Sequence, residues 1–262
     1  MKVIQILPLP TSSVLITDSR ERKQRIFRYL TDSLTQRQTT RAVLRRVIIA
    51  ELADREGYTW EQLTGRYRNN RTGQFVAESR IIAEVDTYHE KVVKPNIERI
   101  TERLTNGNIN VSQWQAQMQR EIKDAHILSV QAGRGGKAVT TQADYGRQGG
   151  RLNFEYRRLD LFAAEIASKH GTDQELTAKQ IMARSQLYSR GSRTAYYDGL
   201  NAAKEGAGFN EERRVLGATD HCQVCRDFEA EGWMPIGHFP SPGTQCEGRH
   251  NCGCDKEFRV RP

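Results

Sequence analysis

The chain of 262 residues is predicted to be mainly α, an elongated helical domain followed by a small C-terminal lobe of irregular structure and short strands. Three observations carry this expectation. Apolar residues recur at helical spacing from about residue 20 to about residue 204. All five cysteines and three of the six histidines lie between His221 and Cys254, in a stretch rich in glycine and proline. The hydrophobic fraction is 37%, charged residues make up 27%, and the mean hydropathy is -0.70. That is low for a compact globule. It suits an extended helical protein, or a subunit that completes its core against partners.

The elements follow in order. "MKVIQILPLPTSSVLI" is broken by Pro8 and Pro10 and lacks a small-residue cleavage site. It reads as a flexible or strand-forming arm rather than a signal peptide. Thr17 and Asp18 offer caps for a helix running to Gly57, either one long helix or two joined near Thr35 to Thr40. "GRYRNNRTGQF" has the composition of a turn or short hairpin. Ile81, Val85, Tyr88, Val92, Ile97 and Ile100 mark a helix from Ala77 to about Leu104, with Pro95 kinking or breaking it. Ser112 and Gln115 are placed as a capping box for a helix carrying Trp114, Met118, Ile122, Ala125 and Leu128. "GRGGKAVTTQADYGRQGG" reads as a glycine-rich mobile loop. Further helices are expected over residues 152–170 and 173–204, the second capped by Thr172 or Asp173. "RRVLGAT" is expected to be a strand leading into the cysteines. The chain thus divides into a basic arm with helices (1–76), a helical domain (77–205) and a cysteine-rich lobe (206–262).

Charge separates these parts. Residues 1–76 hold 14 basic and 7 acidic side chains, a net of +7. Residues 77–219 hold 21 and 18, a net of +3, and residues 220–262 hold 5 and 7, a net of -2. No run of about 18 apolar residues occurs, so no segment reads as membrane-spanning.

The cysteines form Cys222-x2-Cys225, then twenty residues, then Cys246-x5-Cys252-x-Cys254. A Cys-x2-Cys pair presents two thiolates from one turn, and a distant second group closes a tetrahedral site. Zinc suits soft sulfur donors. The absence of a secretion signal argues for a reducing compartment, where disulfides are disfavoured. The segment between the cysteine pairs cannot build a core alone, so a structural zinc is the expected reason that it folds. Cys222 and Cys225 are the firmest ligands. Cys246 and Cys252 come next, with Cys254 or His250 as substitutes.

A catalytic zinc keeps an open position among histidine or carboxylate ligands. Here the donors are nearly all thiolate. "HEKVV" at His89 holds half of a His-Glu-x2-His motif, and no deaminase signature occurs. Glu84, Asp86, Glu90 and Glu98 sit at the spacing of an ordinary exposed helix face, and "GRGGK" is no complete phosphate loop. The lobe's net charge of -2, with about -2 more from four thiolates on one zinc, would repel a polyanion, so a nucleic-acid finger is disfavoured. Trp233, Met234, Ile236 and Phe239 are either a contact surface for a protein partner or the lobe's own packing.

Asp220, Cys222, Cys225, Gly232, Pro235, Asn251, Cys252 and Cys254 give a pattern of Asp near Cys-x2-Cys, a Gly and Pro segment, then Asn-Cys-x-Cys. It resembles the C-terminal signature of the tailed-phage head morphogenesis, or minor capsid, proteins related to phage Mu protein F. Many of those end in His-Pro-Asn-Cys-Arg-Cys, where this chain has Arg-His-Asn-Cys-Gly-Cys. The histidine is displaced, and Cys246 is the candidate to fill its place. The likeness is specific over about 35 residues, the span of a small zinc module. It implies a non-enzymatic structural protein carried in the virion in few copies near the portal or the inner capsid face, helping to assemble the head or deliver DNA, and present in the host cytoplasm during assembly. Its partners would be the portal or the major capsid protein. The basic residues 1–76 either lie against packaged DNA, through sequence-blind phosphate attraction, or against an acidic portal surface, or are simply a solvated helix face. The alternative is a zinc-stabilised, nuclease-like enzyme acting on nucleic acid.

Overall fold

The computed structural model describes residues 58–261 apart from residues 62, 71, 218–219 and 248–251. The expected arm and the helix before Gly57 lie outside the described residues, as do His250 and Asn251. The mainly helical class and the strand-bearing C-terminal lobe are both present.

A three-stranded antiparallel meander comes first: β1 (Tyr58–Glu61), β2 (Arg66–Asn69) and β3 (Phe75–Val76). The expected hairpin is the β2–β3 pair, with Tyr67 opposite Val76. Its turn closes where the Gly73 N–H donates to the Asn69 carbonyl at 2.8 Å, with Gly73 at φ +69°. β1 consists of Tyr58, Thr59, Trp60 and Glu61, three of them strand-favouring types, and pairs antiparallel with β2.

Two helices follow, α1 (Glu78–Tyr88) and α2 (Lys94–Thr105), joined by a π-helical turn at His89–Val93. Pro95 has no N–H to give to the preceding turn, and the widened turn absorbs that loss without a break in the chain's helical course. Helix α3 spans Val111–Arg134. Its capping box is Asn110 with Gln113, two residues ahead of the Ser112 and Gln115 expected from sequence. An Asn carboxamide caps as well as a Ser hydroxyl does, so the earlier residue takes the role.

The glycine-rich segment is a loop for only part of its length. Gly135 (φ +100°) and Gly136 (φ +118°) end α3, but α4 begins at Gln142 and runs to Lys169. Thr141 and Asp144 form its capping box. Asp144 is 2% exposed and also meets Arg134 at 3.1 Å, which ties the start of α4 to the end of α3. That anchor outweighs the loss of about 0.5–1 kcal/mol for each glycine inside the helix. The expected helix over 173–204 is likewise two helices, α5 (Ala178–Gln186) and α6 (Gly191–Gly206), with a 3-10 turn at Leu187–Arg190 between them. Thr177, not Thr172 or Asp173, caps α5, again in a box with Gln180.

Trp114, Met118, Ile122, Leu159 and Phe162 are fully buried and form the centre of one apolar cluster with Val93 and Ile97. A second cluster joins the meander to α1 and α6 through Tyr58, Tyr67, Ile81, Tyr196, Tyr197 and Leu200. The Tyr67 hydroxyl donates to the Gly133 carbonyl at 2.7 Å, so the buried phenol is satisfied. Helices α3 and α6 approach with little between their backbones. A β-carbon on Gly133 would overlap the Tyr196 carbonyl oxygen, and one on Gly199 would overlap the Val130 carbonyl oxygen.

The lobe is built on a second antiparallel sheet of β4 (Glu211–Val215), β5 (Met234–Pro235) and β6 (Asp255–Arg259), in the order β5-β4-β6. A short helix, α7 (Gln223–Ala230), lies between β4 and β5. "RRVLGAT" does supply the end of a strand, β4, that leads to the cysteines. No helix among the described residues is long and apolar enough to cross a membrane.

Candidate metal centre

The sheet brings the two halves of the cysteine pattern together. Pairing of Val215 with Asp255 fixes Cys254, the next residue back, beside the chain that leaves β4. A β-carbon on Gly217 would overlap the Gly253 carbonyl oxygen, so the two strands' extensions touch backbone to backbone. Cys222 is the N-cap of α7, and the Cys225 N–H donates to the Cys222 carbonyl at 3.1 Å. That turn points both thiols one way.

The sulfur of Cys222 lies 3.6 Å from that of Cys225 and 3.6 Å from that of Cys246. None of the five cysteines is in a disulfide. The donors form two triangles that share Cys225: Cys222, Cys225 and Cys246, then Cys225, Cys252 and Cys254, each with its sulfurs within 4.8 Å of one another. Zinc–sulfur bonds of about 2.3 Å at tetrahedral angles imply sulfur–sulfur edges of about 3.8 Å. The observed 3.6 Å separations fit that geometry, whereas a disulfide would need about 2.05 Å. All five predicted site residues therefore sit in one cluster that could hold a metal ion, with Cys225 as its hub.

The thiols are not equivalent. N–H groups of Cys225 and Glu247 pull Cys222 down to about 7, so it gives up its proton most readily. Burial opposes ionisation of Cys252, but the Cys254 N–H and the neighbouring thiols hold it below the ordinary thiol value. Burial pushes Cys225 well up and Cys254 up to about 11. A cation among them reverses that cost, because it favours the deprotonated donors.

Two residues that the sequence reading did not assign complete the surroundings. The His221 Nε2 contacts the Gly217 carbonyl at 2.9 Å, and its Nδ1 lies 3.3 Å from the Cys254 sulfur. A carbonyl oxygen can only accept, so Nε2 carries the proton and Nδ1 faces the cluster. Arg193 of α6 donates to the Cys252 carbonyl at 2.9 Å and ties the cluster to the helices. Direct adjacency to Cys222 was the available signal for His221. None existed for Arg193, which is 59 residues away.

Beneath the cluster, Lys256 and Glu212 form an ion pair at 2.9 Å with both side chains fully buried. Lys256 also donates to the Phe239 carbonyl, and the Phe239 N–H donates to Glu212. Phe239 is buried and packs edge-on against Phe228. Trp233 lies between the guanidinium groups of Arg213 and Arg259, 4.9 and 4.4 Å from its ring. These two of the four large apolar residues thus serve the lobe's own packing.

The carboxylates weighed for catalysis are dispersed. Glu84 accepts from the Tyr58 hydroxyl at 2.7 Å, Asp86 faces Arg193 at 3.6 Å, Glu90 pairs with Lys94, and Glu98 accepts from Gln186. Among the described residues, the groups of three or more possible ligands close enough to share an ion are the two thiol triangles. No protein-family model, no curated protein and no solved structure matches this chain.

Proposed function

We propose that the chain is a minor capsid or head morphogenesis protein of a tailed bacteriophage, bound at the portal or the inner capsid face, and that its C-terminal lobe is a rigid docking element closed by structural zinc. The observation that supports this reading most is the Asp220 to Cys254 segment. Its signature-like cysteines converge on one thiolate-rich cluster. Zinc is the proposed ion because the donors are soft and the two Cys222 separations of 3.6 Å match its bond lengths. Cys222, Cys225, Cys246 and Cys252 are the proposed ligands, with Cys254 and His221 bordering them. Such a set is saturated and leaves no position for substrate, in keeping with a non-catalytic role.

Residues 1–76, with their net charge of +7, are proposed to contact packaged DNA without sequence preference. Mass spectrometry of purified virions, with co-purification of the portal and major capsid proteins, tests the assignment. The chain is expected in the particle in a few copies beside the portal. Its absence from virions, together with magnesium- or manganese-dependent nicking of plasmid DNA by the purified protein, would instead establish the nuclease-like alternative. Neutralising Arg20, Arg22, Lys23, Arg25 and Arg28 to Gln is expected to flatten the salt dependence of DNA retention by roughly one unit of log–log slope per lost phosphate contact. An unchanged slope would rule out DNA contact by these residues.

A further inference from the structure

Three large apolar side chains left in solvent meet at one place. Phe154 is 56% exposed, Leu161 74% and Leu187 46%. Single exposed apolar residues are ordinary, but a contiguous group marks a contact surface. These three border a groove of about 420 Å³ between α4 and the 3-10 turn that links α5 to α6. Buried Phe162 and half-buried Tyr188 complete its apolar lining.

The stripe is a property of α4 itself. Positions 154, 158, 161 and 165 are spaced by four, three and four, so they fall on one face of the helix. Leu152, Leu159, Ala163 and Ile166 fall on the opposite face and are buried in the core. A surface helix needs one apolar face, and α4 has a second, which nothing among the described residues covers.

Charge around the groove is unbalanced. Its two carboxylates are already engaged: Glu165 pairs with Lys169 at 2.9 Å and with Arg184 at 2.7 Å, and Glu155 faces His126 at 3.4 Å. Arg157 and Arg158 are exposed on α4. Arg157 donates only to the Asn153 carbonyl of its own helix, and Arg158 lies over the Phe154 ring at 5.2 Å. Among the described residues neither has a carboxylate partner. Whatever occupies the groove must therefore bring apolar surface and negative charge together.

That requirement separates the candidate occupants. A second copy docked antiparallel, with Phe154 on Leu161 of the other, would crowd Arg157 and Arg158 of both copies together, and like charges repel. The residues before Tyr58 carry 11 basic and 6 acidic side chains, which is the wrong sign. An added strand would need a sheet edge, and the groove is walled by helical elements. A helix with apolar residues at i, i+4 and i+7 fills such a groove, and carboxylates on its rim reach the two free guanidinium groups.

We propose that this face of α4 is a docking groove for an acidic amphipathic helix of a partner protein. It involves none of the cysteines and stands whether or not the chain belongs to a capsid.

The test uses the full chain and two fluorescently labelled helical peptides of about 18 residues. Both carry the same leucine stripe, and one is rimmed with Glu and the other with Lys. The Glu-rimmed peptide is expected to bind at least about tenfold more tightly, by fluorescence anisotropy. Leu161→Gln changes a side chain that is 74% exposed, so the fold is kept, as circular dichroism checks. It is expected to weaken the Glu-rimmed peptide about tenfold. Arg157→Glu with Arg158→Glu is expected to invert the preference, so that the Lys-rimmed peptide binds better. Failure of the folded wild type to bind the Glu-rimmed peptide overturns the proposal, as does equal binding of the two peptides. Undiminished binding by Leu161→Gln, which attraction by the basic residues 1–76 alone would give, also overturns it. A wild-type dimer in sedimentation equilibrium that Leu161→Gln dissociates would assign the face to a second copy instead.

Discussion

The seam between α3 and α6 and the cysteine-rich lobe are held by opposite means. Along the seam, apolar burial is nearly complete: Tyr196, Tyr197 and Leu200 are fully buried, and Gly133 and Gly199 let two backbones touch. In the lobe, the buried clusters are three cysteines with their neighbours and a lysine–glutamate pair, with Phe239 as the main large apolar side chain in the interior. The seam needs exact shape. The lobe has a cysteine cluster that could hold a cation, and matched buried charges. The comparison shows how one chain with a low apolar content supports two regions, by spending its apolar residues on helices and supplying chemistry where they run out.

Removing the proposed zinc ion is expected to have the largest effect. Structural zinc contributes about 10–16 kcal/mol to the folding of small zinc modules. A strong chelator, or Cys225→Ser at the shared vertex of the two thiol triangles, should abolish amide-exchange protection over residues 206–261 while α3 and α6 keep theirs. Loss of protection in both regions at once would show that the lobe and the seam are a single cooperative unit. Next comes Lys256→Met. It leaves the fully buried Glu212 carboxylate without its cation and should lower stability by about 3–5 kcal/mol in denaturant unfolding. A change under about 1 kcal/mol would mean that the pair is not desolvated as described.

The smallest effects test the seam. Gly199→Ala drives a methyl into the Val130 carbonyl oxygen and should cost about 1–3 kcal/mol. Gly146→Ala, on the open face of α4 with nothing within 4 Å, should stabilise by about 0.5–1 kcal/mol. If both substitutions shift the melting temperature the same way, close backbone approach is not what the seam glycines provide.

Much of this was readable from residue order. The apolar spacing of Trp114, Met118 and Ile122 placed the core of α3, and the cysteine spacing placed the cysteine cluster, because helix period and turn geometry are local properties. The misreadings were local signals overruled from a distance. The glycines of α4 suggest a loop, but Asp144 is locked to Arg134 on another helix. The helix expected over 173–204 split where α6 starts with Gly191 against His126 and Glu155. Nothing in the order of residues links His126 to Glu155 across 29 positions, and nothing marks Arg193 as a donor to Cys252.

By itself, then, residue order determined the helical class, the uneven charge, and the presence of a thiolate site near the C-terminal end. Those depend on composition and on spacings shorter than one turn or one knuckle. Tertiary structure alone decided that Cys225 sits where two thiol triangles meet, that β4 and β6 carry the cysteine pairs together, and that the His126 imidazole and the Glu155 carboxylate meet at 3.4 Å. The reason is physical: contacts between distant segments are set by packing and desolvation of the whole body, which no local pattern encodes.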